Sequence, residues 1–218
     1  MATEEKHQRL THSYLALRKT VGLIGMLLPF ALLVGMFLIN LLIDGHDGVM
    51  VHYPESISHY YYSILRGVFV GALCAVALFM FFYCGYDKSD NITGNLAGLF
   101  ALGVAWFPTS EGNDIGWCGI VHYTSAALFF GCLAYFSIKL FTKSKKGDLP
   151  TLEKLKRNKI YKACGWFMVF CLVAMATYSF VIEKHYHIHY FIWAGEALAL
   201  LAFGISWLTK GGTIYKDR

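Results

Sequence analysis

The chain is predicted to be an all-α polytopic membrane protein, a bundle of six transmembrane helices, on three observations. Hydrophobic residues make up 56% of its 218 positions and charged residues 15%, where soluble domains carry about 25% charged residues. The apolar residues collect in long runs parted by short polar segments, as expected when lipid is the solvent. Lys and Arg gather on alternate connections, the bias that marks cytoplasmic loops.

Residues 1–20 are polar, with Leu10, Tyr14 and Leu17 at helical spacing, and read as a cytoplasmic or interfacial segment leading into the bilayer. The first run, Val21–Ile43, is longer than the h-region of about 7–15 residues in a signal peptide. No small-residue cleavage pattern follows it, so it is expected to remain as the first span. The second and third runs are Tyr61–Cys84 and Ile92–Phe107. The third is short against the roughly 20 residues a span needs and is expected to extend back toward Asn91. Gly67 and Gly71 on one run and Gly94 and Gly98 on the other predict a close hairpin, because small residues four apart let membrane helices approach. The remaining runs are Gly116–Phe141, Ile160–Ile182 and His189–Leu208. Pro29 and Pro108 are expected to kink or end their helices. The basic loop 142–159 is broken by Gly147 and Pro150, and Thr151–Tyr161 reads as a cytoplasmic helix running into the fifth span. Residues 1–218 thus form one transmembrane bundle.

Orientation follows from the basic residues. Lys139, Lys143, Lys145, Lys146, Lys154, Lys156, Arg157, Lys159 and Lys162 crowd one connection. Arg9, Arg18 and Lys19 precede the first run, and Lys210, Lys216 and Arg218 follow the last. The connections Asp44–His59, Thr109–Ile115 and Glu183–Ile188 are poor in Lys and Arg. Six crossings then place both termini in the cytoplasm. The net charge of +5 is mostly this topology signal. Lys143–Lys162 can also attract anionic membrane lipid, while nucleic-acid binding has no support beyond the same charge. Cys74, Cys84, Cys118, Cys132, Cys164 and Cys171 lie in or at the ends of the runs without C-x-x-C spacing, which suits apolar packing rather than a disulfide framework. The sequon at Asn91 falls at the expected cytoplasmic end and is read as chance.

The polar residues that packing does not explain converge on the opposite, outward side. His46, His52, Glu55, Ser56, Ser58 and His59 precede the second helix, Glu111 and Asp114 precede the fourth, and His122 lies about two turns inside it. His185, His187 and His189 open the sixth, so seven of nine histidines share one face. If Glu183–His189 is helical, His185 and His189 stack one turn apart; if it is extended, His185, His187 and His189 project together. Either arrangement can offer two imidazoles to zinc, with His59, His122 or Asp114 as a third ligand. An interfacial collar of histidine and tyrosine is the competing reading. Deeper in, Arg66 lies seven residues past His59 and Glu196 seven past His189. Equal depth and opposite charge predict an ion pair, either as a helix lock or as the floor of a pocket. Tyr60, Tyr61 and Tyr62 supply rings and hydroxyls at the same edge, and Ser56 is placed to cap the second helix. On the inner side, Asp87, Asp90 and Asn91 read as turn and capping residues.

The segments Ser56-Ile-Ser-His-Tyr-Tyr-Tyr, Asp90-Asn-Ile-Thr-Gly-Asn-Leu-Ala-Gly98, Trp106-Phe-Pro-Thr, Gly119-x-x-His122 and Ala202-Phe-Gly-Ile-Ser-Trp-Leu-Thr-Lys-Gly211 resemble a bacterial group of six-helix membrane proteins. That group is distantly similar to the Frag1/DRAM type. The resemblance covers most of the chain and implies a fold and a bacterial cytoplasmic (inner) membrane location, without an activity. A second resemblance is to the alkaline ceramidase and progestin-receptor-like membrane hydrolases. It sets Ser56 and His59 beside their second-helix Ser and His, and His185 and His189 beside their last-helix His pair, which implies zinc. The Ser–His spacing here is shorter by one, a seventh helix is missing, and the third-helix Asp has no counterpart.

Three functions follow as expectations. One is an outward-facing polar pocket of Arg66, His122, Glu196 and Tyr60–Tyr62 that binds a lipid headgroup or small amphiphile. A second is a zinc-dependent hydrolase of a lipid amide or ester, with metal on His59, His122, His185 or His189 and Glu196 or Asp114 as base. The third is a structural or assembly subunit.

Overall fold

Among the described residues six α-helices make up the bundle: α1 Ala2–Ile43, α2 Arg66–Phe81, α3 Lys88–Trp106, α4 Trp117–Tyr135, α5 Leu152–Thr177 and α6 Phe191–Lys210. This computed structural model describes the backbone of residues 2–43, 53–85, 87–110, 116–144 and 150–215, and side chains from residue 13 onward. No strand occurs among the described residues. Among the described residues, four helical stretches are long and apolar enough to cross a membrane: Ser13–Leu42, Trp117–Leu140, Leu152–Ile182 and Phe191–Lys210. Helix α2 is apolar but has 16 residues, about 24 Å at 1.5 Å per residue.

Local chemistry sets the boundaries. Asp87 caps α3: its side chain accepts from the Ser89 N–H, while Asp90 reaches back to the Asp87 N–H at 3.0 Å. This reciprocal box satisfies two N–H groups that a helix start leaves open, and it bears out the capping role expected of these aspartates. Thr151 caps α5 by accepting the Lys154 N–H at 3.1 Å, so the helix runs unbroken from the basic connection into the fifth apolar run. Helix α3 stops at Trp106, two residues ahead of Pro108, as a proline's effect on its predecessor favours. Pro29 lies inside the 42-residue α1 without ending it.

Two predicted features are corrected. The second run does not begin as α-helix at Tyr61. Ser58–Tyr62 form a separate 3-10 turn, and the extended Ser63 (φ −101°, ψ 169°) parts it from α2. The glycine hairpin is half as predicted. A Cβ on Gly94 would sit 2.8 Å from the Met80 carbonyl and one on Gly98 3.0 Å from that of Ala77, but Gly67 and Gly71 face open space. Helix α2 meets α3 through Ala77 and Met80, which are fully buried. An unexpected close approach joins α1 to α6, where a Cβ on Gly204 would lie 2.8 Å from the Gly22 carbonyl. The α1–α6, α2–α3 and α5–α6 interfaces are the most extensive.

At one end of the bundle Trp207, Tyr83, Phe136 and Phe141 pack edge to face, with ring centroids 5.0–5.8 Å apart. Lys143 clamps this end, donating to both Asp87 carboxylate oxygens at 2.9 and 3.0 Å, to Ser89 at 3.0 Å and to Asp90 at 3.3 Å. Hydrogen bonds from Lys143 hold the Asp87 carboxyl well below the usual carboxylate range. We call this the basic end, and its opposite the histidine end. All six cysteines are free thiols.

Candidate functional site

The histidine end is assembled from two connections laid against each other: the segment 53–65 ahead of α2, and the turn between α5 and α6. Tyr178 shapes the second of these. It sits in a π-helical turn, Tyr178–Ile182, that closes α5. Its hydroxyl accepts the Ile188 N–H at 2.8 Å and donates to the Ile188 carbonyl at 3.2 Å. Its ring stacks on Phe191 at 4.4 Å. Ile188 is therefore held in place in a stretch, 186–188, without regular secondary structure, and Tyr190 adopts the left-handed conformation (φ 61°) just before α6. A non-glycine residue in that region is uncommon and needs its surroundings to hold it there.

In this stretch and the turn after it, His187 and His189 lie side by side. Their ring centroids are 4.7 Å apart. Glu55 from the other connection completes a triad. His189 Nδ1 is 2.9 Å from Glu55 Oε1, His187 Nε2 is 3.2 Å from Oε2, and one ligand atom from each residue lies within 4.8 Å of the others. Hydrogen bonding to His189 is the largest influence lowering the Glu55 carboxyl below its ordinary value. Behind His187, Glu183 Oε1 lies 3.9 Å from Nδ1.

This triad revises the expected ligand set. The helical pairing of His185 with His189 does not form, because His185 closes the turn after α5 through its N–H to the Ile182 carbonyl. His59 and His122 do not join the triad either. His59 Nδ1 is 2.6 Å from Ser56 Oγ, and the His59 N–H donates to that same oxygen. Ser56 thus caps the 3-10 turn rather than α2. His122 is buried in α4, with Nδ1 2.7 Å from the Phe107 carbonyl. Asp114, like His46, His52 and Glu111, lies outside the described residues.

Glu196 and Arg66 do not form the predicted pair. Glu196 accepts the Ile57 N–H at 2.5 Å and the Ser58 hydroxyl at 2.9 Å. One turn earlier in α6, the Trp193 N–H donates to the Glu55 carbonyl at 3.1 Å. These three bonds fasten 55–58 to the first turns of α6, and so fix Glu55 beside the histidines. Arg66 turns away, its guanidinium 3.9 Å from the Tyr61 ring centroid and bonded to the Tyr61 hydroxyl. Counting residues from His59 and His189 misleads, because Arg66 is the first residue of α2, behind a 3-10 turn, and α6 starts only at Phe191.

The three tyrosines part company because a 3-10 turn has about three residues per turn, which sends consecutive side chains roughly a third of a circle apart. Tyr60 is fully buried, Tyr61 lies under Arg66, and Tyr62 donates to the Thr109 carbonyl at 2.5 Å. Four buried polar atoms at this end have no hydrogen-bond partner: Tyr60 Oη, Ser110 Oγ, His122 Nε2 and Trp193 Nε1. Arg66, Tyr61 and Trp106 also line an open cavity of about 420 Å³ with Gly67, Val70 and Ala105.

Sequence reasoning missed Glu55 as the partner of His187 and His189, and Ser58 as the partner of Glu196. The period-two alternative for 185–189 held the signal for His187. No family model, curated protein or solved structure matches the chain.

Proposed function

We propose that this chain is a six-span protein of the bacterial cytoplasmic membrane, with both termini in the cytoplasm, that binds a divalent transition metal at its outward mouth. The metal sits on Glu55, His187 and His189, and zinc is the first candidate by ligand type. Topology rests on the gathering of Arg18, Lys143, Lys154, Arg157 and Lys210 at one end, since basic residues favour the cytoplasmic side.

One observation carries the metal reading: two imidazole nitrogens and a carboxylate meet at 2.9–3.2 Å across each His–Glu pair. Ligands at about 2.0–2.1 Å from a tetrahedral ion stand about 3.3 Å apart, a spacing that the two His–Glu pairs already match, while all three ligand atoms lie within 4.8 Å of one another. Two His and one Glu leave a fourth position for water or an incoming group. Glu183 stands where it can orient His187 through the ring nitrogen away from Glu55, the usual arrangement behind a ligating histidine. Glu196 is committed to Ile57 and Ser58, so it supports the site's frame rather than acting as a hydrolytic base.

Metal content after zinc equilibration and exhaustive dialysis tests this. The expected result is one zinc per chain, lost in Glu55→Ala and His189→Ala and kept in His185→Ala and His59→Ala. Absence of bound zinc, or dependence on His185 in place of His187, contradicts it.

The Arg66–Tyr61–Trp106 cavity favours a second reading, an amphiphile or lipid headgroup held by Arg66 with its chain along α2. Native mass spectrometry of Arg66→Gln should then show less retained anionic lipid than wild type, and equal retention removes this reading.

A further inference from the structure

Two histidines of the histidine end stand outside the triad, and both are prepared as metal ligands are. His122 lies in α4 and is only 1% exposed. Its Nδ1 sits 2.7 Å from the Phe107 carbonyl. A carbonyl oxygen only accepts, so Nδ1 carries the ring proton and Nε2 the lone pair. That Nε2 is buried and has no hydrogen-bond partner. His59 is fixed in a similar way. Its Nδ1 is 2.6 Å from Ser56 Oγ, which also accepts the His59 N–H at 3.1 Å, and this leaves Nε2 as the nitrogen available to a ligand. An oxygen held behind the far ring nitrogen is the usual support of a ligating histidine.

The chain brings the two rings toward each other. Ser58–Tyr62 is a 3-10 turn, in which residues three apart eclipse, so His59 shares a face with Tyr62. Tyr62 donates to the Thr109 carbonyl at 2.5 Å, and the Thr109 hydroxyl donates to Tyr123 Oη at 2.7 Å. Tyr123 follows His122 in α4, and their rings meet edge to face at 5.7 Å. That face of the turn is thereby fastened to the segment that carries His122, and His59 lies close enough to act on His122 electrostatically. Ser110, next to Thr109, adds another buried polar atom without a partner, its Oγ. Buried polar atoms left open cost free energy.

Charge decides which ion suits this pair. Among the described residues no carboxylate bonds either histidine, whose partners are Ser56 and the Phe107 carbonyl. The triad, by contrast, has Glu55. The cost of taking an ion out of water grows with the square of its charge, so a divalent ion on two neutral imidazoles would be poorly compensated. A monovalent ion meets about a quarter of that cost. Imidazole suits copper as well as zinc, and copper(I) is the monovalent ion that accepts two nitrogen ligands. We infer that His59 and His122 form a second metal site, selective for copper(I), which binds between their Nε2 atoms with Ser110 beside it. This site is separate from Glu55, His187 and His189 and does not depend on them.

The test uses the full chain in neutral detergent without oxygen, with copper(I) supplied from a coloured chelator that reports how much the protein takes. One copper(I) per chain should transfer, and excess zinc should not displace it. His59→Ala and His122→Ala should each weaken binding by more than about a hundredfold, and Ser56→Ala, which removes only the support behind His59, by about tenfold. His185→Ala should leave it unchanged. So should Glu55→Ala, which separates this site from the triad. His122 is buried and its replacement can unfold the chain, so X-ray absorption at the copper edge of the wild type gives a second readout: two imidazole nitrogens and no sulfur. Failure to take up copper(I) overturns the inference. So does wild-type affinity in His59→Ala, displacement by zinc, loss of copper in Glu55→Ala, or sulfur in the copper shell, which would assign the ion to a cysteine.

Discussion

Replacing Glu196 by Ala removes the acceptor for both the Ile57 N–H and the Ser58 hydroxyl. Ile57 is 3% exposed, so water cannot easily reach its amide, whereas the Ser58 hydroxyl can rotate toward another partner. Hydrogen bonds to a charged group are worth about 1.5 kcal/mol each at the low end, which gives a loss of about 3 kcal/mol. For a chain of this size, 1 kcal/mol moves the melting temperature by about 2–4 °C, so Glu196→Ala should melt about 6–12 °C lower. Glu196→Gln keeps an acceptor for Ile57 and a donor for Ser58 Oγ and should lose less than half as much. Ser58→Ala should lose about 1–1.5 kcal/mol. The assay is thermal unfolding in detergent, read by a thiol-reactive dye on the buried Cys164 and Cys171. The reasoning is refuted if Glu196→Ala melts within about 2 °C of wild type, or if Gln is as damaging as Ala.

Tyr178→Phe removes the hydroxyl that holds Ile188; zinc affinity should fall about fivefold and the melt by about 2–4 °C, one net hydrogen bond's worth. Gly204→Ala should destabilise by about 1–3 kcal/mol through overpacking against Gly22 and Met26, while Gly71→Ala, in open space, should be neutral or stabilising; paired thermal melts decide. The Glu55 carboxyl is lowered chiefly by its bond to His189, so its contribution to the fold is fully present above the ordinary carboxylate range of about 4.3 and is lost only as pH falls through its lower folded value. Carboxyl carbon NMR should place its midpoint below that range, and His189→Ala should move it up; an unshifted wild-type midpoint contradicts the contact. Lys143→Met should lower stability by about 1 kcal/mol through the loss of its bond to the buried Asp90, and a melt unchanged from wild type would remove the clamp.

The apolar runs were legible because hydropathy integrates over many residues: α3 and α6 begin and end within four residues of the predicted limits, and α4 and α5 reach theirs only with the π-helical turns Phe136–Leu140 and Tyr178–Ile182 that close them. Capping was legible too, since Asp87 and Thr151 act within three residues of themselves. What failed was depth and azimuth together. Counting residues at 1.5 Å each assumed continuous helix, but Arg66 opens α2 behind a 3-10 turn and His189 precedes α6, and a count carries no information on which way each helix face turns. Arg66 found Tyr61, five residues away, and Glu196 found a backbone amide that no pattern marks. The glycine pairs teach the same lesson, for Gly94 and Gly98 face α2 while Gly67 and Gly71 face nothing. At the histidine end the period-two spacing of His187 and His189 could be read, but Glu55 could not. It reaches them only because Trp193 and Glu196 fasten an aperiodic connection to α6.

The claim that matters most is that Glu55, His187 and His189 bind one metal ion, and X-ray absorption at the zinc edge of the zinc-loaded protein tests it most directly. The account predicts a shell of nitrogen and oxygen only, at about 2.0–2.2 Å, with the outer-shell signature of two imidazoles, and loss of one imidazole in His187→Ala. A shell with sulfur, or with a single imidazole unaffected by His187→Ala, would contradict it.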